Sequence, residues 1–267
     1  MTAFRRAVAC AAILLLTVLA LPCADAAAAP HTPVPPALLA TLQRLATATP
    51  VQGMLHITQH SSNGSGDKKH VSNAEAQLHI GAAAGISLQV PATELAAADA
   101  QLAAHQADPE KPAPLADLLQ GLGIGQVQRM LEPAAQLALL LRDAQLQSQQ
   151  ATTLDGQPAT LLHFIVPLRA SKNAHELIKN YRDKLSLWLD AQGVPLAFVR
   201  QTSTEIGWMF LTLDNTDTQR GRFIVHDGRL LLTTLDVDSR GSGLGHHGDT
   251  RTQYVFVLQA QAPTAVR

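Results

Sequence analysis

Short apolar runs separated by turn dipeptides fill the C-terminal half of the chain, and this punctuation limits its fold more than any other feature. Turns are signalled at Asp155-Gly156, Gln192-Gly193, Gly207 and Asp227-Gly228. The spacing is close to that of an antiparallel meander. KLSLWLD gives the clearest alternation. Leu185, Leu187 and Leu189 share one face, and Lys184, Ser186, Trp188 and Asp190 share the other. RLLLTTLDV and QYVFVLQ read as further strands. Tight turns leave no room for crossovers, so neighbours are expected to pair in sequence order.

The N-terminal half adds a second meander. Residues 37–47 read as a helix, with Leu38, Leu39, Leu42 and Leu45 at helical spacing and Pro50 as its stop. VQGMLHITQH reads as a strand with Met54 and Ile57 inward. A polar stretch with an Asn63-Gly64 turn signal follows, then AEAQLHI and GISLQV. Residues 92–143 differ, being rich in Ala, Leu and Gln. Helices are predicted near 93–105, 115–119 and 133–142, with GLGIG as a loop between the last two. The inventory is about ten strands. An antiparallel sheet of that size must curl or split. The predicted fold is α+β: a curved half-barrel over residues 37–262, with the insert 92–143 covering its concave face.

The first 26 residues have the order of a secretory signal. Arg5 and Arg6 precede the apolar run VACAAILLLTVLAL, and Ala24-Asp25-Ala26 supplies a cleavage site. A periplasmic location is expected, with residues 27–36 as a loose leader. The run is short for a membrane span. Pro22 before Cys23 makes a poor lipobox. Cleavage after Ala26 would remove Cys10 and Cys23, the two cysteines of the chain, and with them any disulfide. The formal net charge is −1 and no basic block occurs, so no nucleic-acid partner is expected.

Catalytic motifs are absent. There is no G-x-S-x-G elbow. Gly121, Gly123 and Gly125 start a dinucleotide fingerprint, but Gln126 fills its last place and no strand precedes it. His175-Glu176 lacks the second His of a zinc protease and reads as a cap with Asn173. Asp236 and Asp238 fall short of a calcium loop, because Arg240 and His247 stand where ligands belong. His246, His247 and Asp249 are metal-capable, yet adjacent side chains diverge on most backbones, and the segment reads as a solvated hairpin loop. No cofactor and no enzyme activity are predicted. Aromatics at 4% supply a stacking site poorly. Trp188, Trp208, Tyr181 and Tyr254 read as sheet packing.

One segment, KLSLWLDAQGVPLAFVRQ, resembles a known family. A strand ending in LWLD, a Gly-containing turn and a returning VPLAF are similar to the periplasmic lipoprotein-carrier superfamily, which includes LolA, LolB and RseB-type regulators. The order of elements from residue 50 to 259 is similar too. The resemblance implies an open barrel whose helical lid encloses an apolar cavity for acyl chains. Burying about 14 methylenes there would yield on the order of 11 kcal/mol at about 0.8 each. Leu187, Leu189, Leu196, Phe198 and Phe210 would line it from the strands, and Leu137 and Leu141 from the lid. The expected partners are lipid or lipoprotein acyl chains, with an envelope membrane protein as a further partner, and the expected state is a monomer. The alternative function is an interaction module, marked by an exposed apolar patch or edge. A hydrolase with dispersed acids would instead show a polar cleft with perturbed carboxylates.

Overall fold

The computed structural model describes residues 32–65, 68–83, 85–169, 177–208, 211–243 and 245–259. The expected signal segment, residues 27–31 of the leader, the Asn173–Glu176 cap and Phe210 lie outside them.

Residues 32–36 differ from the loose leader expected there. Thr32 bridges Leu146, whose amide donates to the Thr32 carbonyl at 3.0 Å, and Val34 is buried. Proline-fixed extended backbone suits such an edge contact. Helix α1 (Pro36–Leu45) follows, with Pro36 in its first turn and Leu38, Leu42 and Leu45 buried along one stripe.

Strands β1 (Val51–Ser65), β2 (Lys68–Ala82) and β3 (Ile86–Gln89) form the first meander. Leu55 and Ile57 are buried. Met54 lies on the opposite face from Ile57, because the strand period is two and three residues cannot return to one side. Asn63-Gly64 is not the turn. Both residues stay in β1, paired with β2 on one flank and with the last strand on the other. Pairing on both flanks outweighs the local turn preference.

The insert contains four helices, α2 (Ala92–Ala107), α3 (Pro114–Gly121), α4 (Ile124–Leu131) and α5 (Pro133–Leu141). Helix α4 begins inside the loop expected at GLGIG, taking Ile124 and Gly125, while Gly121 ends α3. Gln126 secures its start by accepting from the Gly123 amide at 3.1 Å, and Val127, Met130 and Leu131 anchor its inner face. Glu132 separates α4 from α5, which opens on Pro133.

Among the described residues seven further strands follow: β4 (Gln145–Leu154), β5 (Gln157–Ile165), β6 (Ile178–Leu189), β7 (Pro195–Trp208), β8 (Leu211–His226), β9 (Arg229–Gly243) and β10 (His246–Leu258). Asp155 and Asp227 adopt φ near +50°, each followed by a glycine near +78°, as two-residue hairpin turns require. Gly207 is not a turn but pairs with Thr212 inside the β7–β8 ladder. The segment expected as a loop around His246 is also mostly strand. His246 and His247 alternate across β10, while Asp249 faces Arg240 at 3.5 Å. Among the described residues no three His, Cys, Asp or Glu side chains group as a metal site.

All ten strands form one antiparallel sheet in the order β3-β2-β1-β10-β9-β8-β7-β6-β5-β4, curved but not closed. The N-terminal meander thus docks beside the last strand. The helices cover the concave face: α3 lies on β2, α4 on β9 and β3, α5 on β9, and α1 backs α5. The core sits between these layers, with Leu42, Leu55, Leu78, Leu141, Leu187 and Leu230 fully out of water. Each such side chain contributes roughly 1.5–3 kcal/mol by burial.

Candidate functional site

The concave face changes character along the strands. One transverse row runs Leu187, Phe198, Gly221, Leu235, Tyr254, Ile57 and Ala76 across seven strands. The next is Leu185, Arg200, Gln219, Val237, Thr252, Gln59 and Ala74. The one beyond is Asp183, Thr202, Asp217, Ser239, Thr250, Ser61 and Ser72. Apolar floor therefore passes into polar floor within four residues of strand, through a mixed row.

A cleft of about 200 Å³ opens at this boundary, between α4–α5 and the floor of β6 to β9. Leu137, Leu139 and Leu140 of α5 form one wall. Leu185, Phe198, Phe223, Leu232 and Leu235 form the other. Leu139 is 49% exposed at its mouth, on a helix whose one polar side chain is Gln136. The Phe198 and Phe223 rings stack at 5.5 Å. Gly221 makes room for the Phe198 ring, since a Cβ there would collide with it and with Leu232.

Polar groups border the cleft. Arg200 is half-buried and binds Asp183 through both carboxylate oxygens, at 3.0 Å from Nε and 2.6 Å from Nη2. Asp183 is only 1% exposed and also accepts from the Tyr181 hydroxyl at 3.0 Å. Hydrogen bonding to Asp183 holds the Arg200 guanidinium more firmly protonated. Burial, reinforced by the Asp183 charge, pushes the Tyr181 phenol up. Arg169 reaches Asp143 at 2.8 Å and the Leu139 carbonyl at 2.9 Å. Arg129 of α4 also lines the cleft.

The corner between α4 and α5 is fastened to the sheet by Arg229, a buried side chain on β9. It donates to the Leu131 carbonyl at 2.9 Å and the Thr49 carbonyl at 2.7 Å, with Glu132 at 3.8 Å. Desolvation lowers its pKa, partly offset by Glu132. The outer face of the sheet carries wider depressions. One of about 560 Å³ is ringed by Arg220, Asp236, Asp238, Arg240 and Arg251. Another of about 640 Å³ surrounds Trp188, beside the His163–Ser186 hydrogen bond of 2.9 Å. The insert helices lie on the opposite face, so an alkyl chain here would keep one side in water.

Of the residues predicted to line a cavity, Leu137 and Phe198 meet at the cleft. Leu141, Leu187 and Leu189 are core residues. Leu196 occupies an irregularity in the β6–β7 pairing and is half-buried away from the cleft. Phe210 lies outside the described residues. The arginines and Asp183 were missed, although the period of two places Asp183 on the face of Leu185, and Arg200 on that of Phe198.

No family model, curated protein or solved structure matches this chain. The likeness to the lipoprotein carriers rests on the residues quoted for it.

Proposed function

We propose that this protein, once exported, is a non-enzymatic periplasmic carrier or sensor that takes an acyl chain between the sheet and α4–α5. The resemblance links that role to outer-membrane lipoprotein localisation. The observation that carries the reading is the cleft, walled by leucine and phenylalanine on two layers and opening past the exposed Leu139. Its 200 Å³ is below the roughly 300–1,000 Å³ usual for small-molecule pockets. A long chain would therefore require α5 to lift from β9, about the corner that Arg229 holds.

The test is titration of delipidated protein with a fluorescent fatty acid, alongside lipid extraction and mass spectrometry of the protein as purified. Saturable binding is expected, and Leu137→Asp should weaken it by about tenfold or more by placing a charge on the apolar wall. Absence of both binding and co-purified lipid would sink the reading. A second reading, an interaction module without a small ligand, is favoured by β4. This edge strand, QLQSQQATTL, carries neither charge nor proline to deter another strand. A protein partner recovered by lipid-free protein would favour it.

A further inference from the structure

Three arginines line the cleft, and two are already matched. Arg200 is held by Asp183, and Arg169 by Asp143 and the Leu139 carbonyl. Arg129 makes no hydrogen bond or ion pair among the described residues, and its Nε is sealed from solvent without an acceptor. Tyr254 feels its charge: burial raises the phenol pKa, and Arg129 opposes that rise. A buried donor without an acceptor costs free energy, the more so when it is charged. Arg129 does sit in the last turn of α4, where a cation complements the helix dipole. That role is equally served by a guanidinium in water, so it gives no reason to seal Nε beside an apolar wall.

We propose that the ligand of this cleft is an amphiphile with an anionic headgroup, carboxylate or phosphate, which Arg129 receives while the tail lies against Leu137, Phe198 and Phe223. This inference rests on the acyl-binding reading above. The floor supports it. Arg200 and Gln219 stand side by side in the row where apolar surface gives way to polar. A bound amphiphile would thus have its tail toward the phenylalanines and its head at that boundary. Since Asp183 already neutralises Arg200 and Asp143 pairs with Arg169, Arg129 is, among the described residues lining the cleft, the cation left to balance a ligand charge.

Calorimetric titration of the delipidated protein with dodecanoate, dodecyl phosphate and dodecanol separates the possibilities. The chain length is constant and only the headgroup varies. At least one anion is expected to bind about tenfold or more tightly than the alcohol, the scale of one charge-assisted hydrogen bond. The ratio between the two anions identifies the headgroup. Arg129→Gln should collapse the anion-to-alcohol ratio toward one, whereas Arg129→Lys should retain most of it. Equal binding of all three by the unaltered protein overturns the headgroup assignment and leaves the carrier reading standing. Binding of none of them overturns both. An Arg129→Gln protein that weakens all three equally also overturns the assignment, because it shows a cleft-shaping role instead.

Discussion

Individual charged residues show how much this molecule invests in polar groups at the edge of its core. Asp183 is the sharpest case, a carboxylate at 1% exposure satisfied by Arg200 and Tyr181. Removing one partner of such a pair strands the other. Asp183→Asn should therefore lower unfolding free energy by about 3 kcal/mol in urea denaturation. Asp155 is a contrasting exposed example. Its hydrogen bond from Arg222 holds the carboxyl below its usual value, desolvation opposes this, and the Arg222 charge reinforces it. A depressed acid contributes stability that is present above its unfolded pKa, near 4, and is lost as pH falls through the lower folded value. The expected outcome is that Asp155→Asn loses less stability between pH 5 and pH 2 than the parent (these pH values are approximate bounds on the window). Equal acid sensitivity in thermal melts would show that the pair is fully screened, as exposed pairs often are.

Elements formed where local chemistry and tertiary packing agreed. The β6–β7 hairpin is an instance. Asp190 accepts from the amides of Gln192 and Val194, each at 2.8 Å, and Gly193 takes the positive φ of 77°. Asp190→Ala leaves those two amides without their acceptor and should cost about 1–2 kcal/mol, read from the denaturation midpoint at an unchanged slope. The Asp-Gly hairpins were legible in the sequence for the same reason, since few residue pairs tolerate two successive positive φ angles. Helix α4 was not. Its glycines at 121, 123 and 125 read as a loop, but only Gly125 lies inside the helix, and Val127, Met130 and Leu131 bury enough surface to offset it. Asn63-Gly64 erred in the other direction, because a ladder on both flanks of β1 overrides a turn-forming pair.

At the scale of the whole molecule, a wide sheet leaves two edges and one concave face to cover, and the insert helices cover only part of that face. A ligand held between sheet and helices would join layers that otherwise meet through side chains and the Arg229 clasp. Ligand at about 100 times its dissociation constant should raise unfolding free energy by about 2.7 kcal/mol, measurable as an upward shift in melting temperature that grows with ligand concentration. No shift at any concentration would mean that the cleft does not bind it. The sequence by itself determined the α+β class, the number of strands, their pairing with sequence neighbours and the shared face of Leu185, Leu187 and Leu189. All of these follow from periodicity and turn chemistry, which act over a few residues. Only the tertiary structure decided that β10 pairs with β1, that α4 exists and that its Arg129 meets Arg200 and Phe198 of β7 in one cleft. Those outcomes depend on curvature and on contacts between residues far apart in the chain, for which no local pattern carries a signal.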